Sequence, residues 1–147
     1  MQVRTPINIR YGETDMMGVV YHANYLLYFE DARCDFLERI GFPYHYIEQS
    51  GVMCPIHDVR MTYGSPLRYG EEAYVLTEVI ESRATKTTYS QRVYRADMDP
   101  TVDKPCVDAV ITACVVDRDT FKPVSIKRIL PELYARYEEL LAEKTEA

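Results

Sequence analysis

Three side chains able to move a proton, those of Tyr11, Asp15 and His22, fall inside one short stretch, YGETDMMGVVYHANY, at residues 11–25. A loop carboxylate can act as a general base toward water, or attack a carbonyl itself. A histidine ring can orient water, pair with that carboxylate or protonate a leaving group. A tyrosine hydroxyl can hold a carboxylate in one rotamer. Each residue also has an ordinary reading. Loop aspartates usually make turns with their own backbone, lone histidines are usually structural, and a tyrosine at a strand end usually packs. Gly18 lets the chain reverse between Asp15 and His22, and serves equally as a plain turn residue.

The flanking sequence supplies a scaffold for this stretch. Residues 2–11, QVRTPINIRY, carry β-branched residues in rough alternation and predict a strand. Residues 12–22 predict a loop. From about Asn24, apolar residues recur at three- and four-residue steps: Tyr25, Leu26, Phe29, Ala32, Phe36, Leu37, Ile40. That period predicts a helix, with Asn24 as its N-cap and Gly41 followed by Pro43 as its stop. Residues 52–63, 73–82, 85–96 and 106–117 predict four more strands, rich in Val, Ile, Thr and Tyr, with Pro55 marking an edge or a bulge. Residues 131–143 predict a final helix with Pro131 in its first turn. Sequential strands with short connections favour an antiparallel sheet. The expectation is an α+β fold in one domain over residues 1–147: a five-stranded antiparallel sheet wrapped around one long helix, plus a short C-terminal helix. Such a sheet has open edges, which pairing between two copies would cover.

Composition narrows the function classes. The chain has 147 residues, 47% hydrophobic and 27% charged, with a net charge of −6. An acidic balance argues against a general nucleic-acid binder, which needs a basic face for phosphates. No apolar run approaches the ~20 residues of a membrane span, and MQVRTPINIR lacks the apolar core of a signal peptide. The expected location is the cytoplasm. Cys34, Cys54, Cys106 and Cys114 are widely spaced, with no C-x-x-C pair, and make no zinc-ligand spacing with His22, His45 and His57. No metal site is expected.

The element order and the string Y-G-E-T-D-M-M-G-V-V-Y-H-A-N-Y resemble the hot-dog fold acyl-CoA thioesterases. The narrower likeness is to the 4-hydroxybenzoyl-CoA thioesterase-like branch associated with the Tol–Pal system. It runs from about residue 4 to residue 131 and is strong again over PLRYGEEAYVLTEV, residues 66–79. The resemblance implies a hot-dog fold, homodimers that pair into homotetramers, no cofactor, and hydrolysis of a thioester of CoA or of an acyl carrier protein. It implies Asp15 as general base or nucleophile, and the backbone N–H of His22, at a helix start, as oxyanion donor. The His22 ring would orient water or the carboxylate, and Tyr11 would hold Asp15. Gly18, Tyr21 and Tyr25 would border the acyl group, or be a turn glycine and core-packing tyrosines, and Arg60, Arg83 and Lys86 would meet the CoA phosphates, or be ordinary solvated charges. A competing reading is a non-catalytic module that binds acyl-CoA or acyl carrier protein, which would bind without turnover.

Overall fold

The computed structural model describes residues 1–145. In chain order the elements are β1 (Val3–Ile7), single 3-10 turns at Tyr11–Glu13 and His22–Asn24, α1 (Tyr25–Arg39), α2 (Tyr44–Gln49), β2 (Val52–Met53) and β3 (Ile56–Tyr63). There follow β4 (Ala73–Ser82), β5 (Lys86–Arg95), β6 (Val107–Cys114), β7 (Val116–Asp117), α3 (Ile126–Ile129) and α4 (Pro131–Thr145). Five strands form an antiparallel sheet in the order β1-β4-β5-β6-β3. Among the described residues, no helix is long and apolar enough to cross a membrane.

The apolar stripe of α1 is buried at Tyr25, Phe29, Ala32, Phe36, Leu37 and Ile40, but Leu26 turns out exposed, and Tyr28 and Arg33 are buried in addition. Phe29, Ala32 and Phe36 are each 0% exposed, so this face of the helix is fully covered. Its N-terminal half packs with Val75, Val93, Val107, Ala109 and Ile111. Its C-terminal half packs with Val79, Tyr89, Leu133, Tyr137 and Leu140, where α4 extends the cover. Gly41 ends the helix at φ 95, a backbone angle that L side chains resist. The Phe42 N–H bonds to the Leu37 carbonyl at 2.8 Å, and that of Gly41 to Glu38 at 3.0 Å, the paired bonds of a glycine C-terminal cap.

Further sequence expectations change. The first strand stops at Ile7 rather than continuing to residue 11. Residues 52–63 break at Pro55, which has no N–H to give to a ladder. Val52–Met53 pair instead with Val116–Asp117 in a separate two-stranded ribbon, so residues 106–117 divide as well. A register shift between Ile56 and Asp58 follows the break. Asn24 is not an N-cap: its φ −72 and ψ −16 are helical, and its side chain caps nothing in α1. The helical path begins two residues earlier, because the His22–Asn24 turn runs directly into α1.

Candidate active site

Asp15 sits at the start of a closed five-residue reversal. Its N–H bonds to the Val19 carbonyl at 2.9 Å, and its carbonyl accepts from the Gly18 N–H at 2.9 Å. Thr14 and Val20 then bridge as an antiparallel pair. Gly18 makes the reversal possible at φ 75. One carboxylate oxygen, Oδ1, accepts from the Met17 N–H at 2.8 Å. This is the turn-making role that loop aspartates usually have, and it fixes the headgroup while leaving Oδ2 with no hydrogen-bond partner among the described residues. The side chain lines a cleft together with Met17, Val20, His22, Tyr25 and Tyr63.

His22 lines that cleft too. Tyr21 is extended and His22 opens the helical path, so the N–H groups of His22 and Ala23 have no carbonyl a turn behind them. The Asn24 N–H is already taken by the Tyr21 carbonyl at 2.9 Å. Dropping the cap at Asn24 therefore moves the unpaired amides to His22 and Ala23. The His22 carbonyl accepts from the Tyr63 hydroxyl at 2.9 Å, and the two rings meet edge-on at 6.3 Å. Tyr63, on the edge strand β3, thereby fixes the turn from a point remote in sequence. Tyr25 is buried, and burial pushes its hydroxyl pKa up, so it stays neutral.

Other nominated residues lie elsewhere. Tyr11 is 77% exposed and packs edge-on against Tyr69 at 5.6 Å; it does not line the cleft, and among the described residues its hydroxyl does not bond to Asp15. Tyr21 stacks at a tilt on the His22 ring, centroids 4.3 Å apart, outside the cleft lining. Arg83 is paired with Glu81 at 2.7 Å, and the Lys86 Nζ lies 2.9 Å from His57 Nε2. In β5, Lys86 faces Cys114, whereas Val93 faces Val107, which lines the cleft. Seven residues of strand separate the two ends, roughly 23 Å. Arg60, exposed and 3.9 Å from Asp58, faces Val110 partway along. A basic side chain beside the cleft is that of Arg95, which donates to Ser65 Oγ at 3.4 Å and to the Pro66 carbonyl at 3.3 Å. Ser65 and Pro66 both line the cleft.

Sequence reasoning passed over Glu13 entirely. It is buried, and its Oε2 accepts from the Tyr28 hydroxyl at 2.6 Å and from the Arg10 N–H at 3.0 Å. Its Oε1 accepts from Arg10 Nε at 2.7 Å. Burial alone would push this carboxyl up, but the hydrogen bonds from Tyr28 and Arg10 outweigh it and hold the pKa below the ordinary value. Burial, and then the Glu13 carboxylate, push the Tyr28 hydroxyl up in turn. The signal was present as an acid three residues after Arg10, a spacing that allows reciprocal capping, but Tyr28 is brought in only by the fold. Among the described residues, no three His, Cys, Asp or Glu side chains come together as a metal-ligand set.

A long helix covered by a five-stranded antiparallel sheet is the hot-dog arrangement that the resemblance implied. The chain belongs to the Thioesterase-like superfamily, whose profile matches residues 9–137. It is similar to the YneP protein of Bacillus subtilis strain 168, provisionally named an acyl-CoA thioesterase, at 36% identity over 132 residues, covering 90% of this chain and 92% of that one. It is also similar to the acyl-CoA thioester hydrolase YbgC of Escherichia coli O157:H7, at 30% identity over 94 residues, covering 64% of this chain and 70% of that one. Among solved structures, the DHNA-CoA thioesterase from Staphylococcus aureus superposes with a TM-score of 0.91 at 30% identity, covering 99% of this chain and 94% of that one.

Proposed function

We propose that this protein is an acyl-CoA thioesterase, hydrolysing a CoA thioester to a free acid and CoA in the Asp15–His22 cleft. The observation that carries the reading is that Asp15 and the uncapped helix start at His22 line the same cleft. Asp15 removes a proton from water as the water oxygen bonds to the carbonyl carbon. The carbonyl oxygen takes the developing negative charge, which the His22 N–H stabilises. Collapse of that intermediate breaks the C–S bond and releases the thiolate. A thiol of pKa near ~8.5 leaves with little help, so the His22 ring serves orientation rather than acid catalysis. Direct attack by Asp15 through an anhydride uses the same geometry.

The test is Asp15→Asn against wild type over short aliphatic and aromatic acyl-CoAs, read as free thiol. Loss of a positioned base lowers the rate by about 10²- to 10⁴-fold, so turnover should nearly vanish. Equal rates in the two proteins would refute the assignment. Saturable binding without thiol release would identify a binding module instead. A loaded acyl carrier protein belongs in the same panel.

The assembly read from the motif is a homodimer that pairs into a homotetramer. Support comes from β3, which ends the sheet with one unpaired side and exposes Ile56 and Tyr63. A cytoplasmic location is supported by four free cysteines, which suit a reducing compartment.

A further inference from the structure

Glu13 does not line the cleft, yet it ties together two segments that do. Its side chain is tied to the strand exit at Arg10 and to α1 at Tyr28. Its carbonyl oxygen accepts from the Tyr21 N–H at 2.9 Å and from Asn24 Nδ2 at 2.8 Å. Tyr21 and Asn24 bracket the two unpaired amides of the helix start, while Asp15 follows Glu13 by two peptide bonds. One buried residue thus links the segment carrying the carboxylate to the segment carrying the amides. This also accounts for Asn24: its side chain ties the helix start to Glu13 instead of capping α1.

We propose that Glu13 is a positioning residue that sets where Asp15 stands relative to the His22 and Ala23 amides, through its bonds to Arg10, Tyr28, Tyr21 and Asn24. This rests on the reading of the cleft as a thioesterase site. A carboxylate suits the task because both oxygens accept, and three donors converge on them from two directions. Glutamine has the same shape but presents an NH2 group to one of those donors, so one tie becomes a repulsion. The strand exit and the Asp15 reversal then lose their fixed distance from the helix start. A displacement of about 1 Å between catalytic groups can cost about 10²-fold in rate.

The experiment measures kcat, KM and the pH dependence of kcat/KM for wild type, Glu13→Gln, Tyr28→Phe and Asp15→Asn, with short aliphatic and aromatic acyl-CoAs. The expected result is a fall in kcat of about ten- to a hundredfold in Glu13→Gln, a smaller fall in Tyr28→Phe, little change in KM, and an acid limb of the pH profile that persists in both. Wild-type kcat in Glu13→Gln, or a loss confined to KM, overturns the proposal. So does disappearance of the acid limb, which would make Glu13 the base itself. Should Glu13→Gln fail to fold, Tyr28→Phe decides, and wild-type kcat in that variant overturns the proposal. Full activity in Asp15→Asn would defeat the site reading on which the proposal stands. Normal kcat in Glu13→Gln beside an inactive Asp15→Asn would defeat the positioning role alone.

Discussion

Replacing Gly18 by alanine isolates the backbone contribution to the Asp15 reversal. Gly18 has φ 75, and a Cβ built there meets no atom within 4 Å. Nothing clashes, so the cost is the left-handed backbone alone, about 1–2 kcal/mol for an L residue. The loop has two ways to bear it. It can keep its shape and lose that much stability, a few degrees of Tm for a chain of this size. Or it can turn the strained peptide, breaking the Gly18 N–H bond to the Asp15 carbonyl and the Asp15 N–H bond to Val19. The second route moves the carboxylate and lowers kcat. Gly12→Ala is the control: it too meets nothing within 4 Å, but its φ is outside the left-handed range. That change should be neutral or stabilise by about 0.4–1 kcal/mol through the unfolded chain. Gly18→Asn, which tolerates the left-handed region, should fall between the two. Urea unfolding and thiol release, measured on the same preparations, read the two routes separately. If Gly18→Ala and Gly12→Ala match in both stability and kcat, the reversal is not held by the glycine and the reasoning fails.

Two further outcomes follow from buried polar pairs. The Tyr89 and Tyr137 hydroxyls meet at 2.7 Å with both side chains buried; Tyr137→Phe leaves the Tyr89 hydroxyl without its partner and should cost about 1–3 kcal/mol, while adding Tyr89→Phe should cost less than the sum of the single changes, additive losses in urea melts being the refuting result. Glu13, held below the ordinary carboxyl pKa by Tyr28 and Arg10, adds stability above the unfolded value and loses it as pH falls through its lower folded pKa. The stability gap between wild type and Glu13→Gln should therefore be constant near neutrality and close toward acid, and urea melts in which it widens toward acid would refute the assignment.

The parts of this molecule legible in its sequence are those encoded locally. The period of α1 placed Tyr25, Phe29, Ala32, Phe36, Leu37 and Ile40 in the core, because side chains three and four apart share a face, but it missed that Leu26 is exposed and that Tyr28 and Arg33 are buried. Gly41 and Pro131 marked helix ends through their own backbone preferences, and Gly18 marked the reversal after Asp15. Local signals failed where an element was too short to show a period, as in α2 at Tyr44–Gln49. They failed again where two plausible signals competed. Asn24 has the chemistry of an N-cap, but Glu13 offered its side chain another acceptor and the helical path began at His22. Pro55 announced a break, but not that the severed residues would pair with Val116 and Asp117.

By itself, then, the sequence determined the fold class and a loop carrying Asp15 that runs into a long helix, though it placed that helix's start two residues late, since these follow from residue types along the chain. The tertiary structure alone decided what holds them in place. Tyr63 reaches the His22 carbonyl across 41 positions because β3 lies at the edge beside β6. Arg95, rather than Arg83 or Lys86, stands at the cleft because it occupies the other end of β5. Glu13 is buried because Tyr28 closes over it from α1. Contacts of that kind depend on strand order and on which ends of the strands meet the helix, quantities that no local pattern carries.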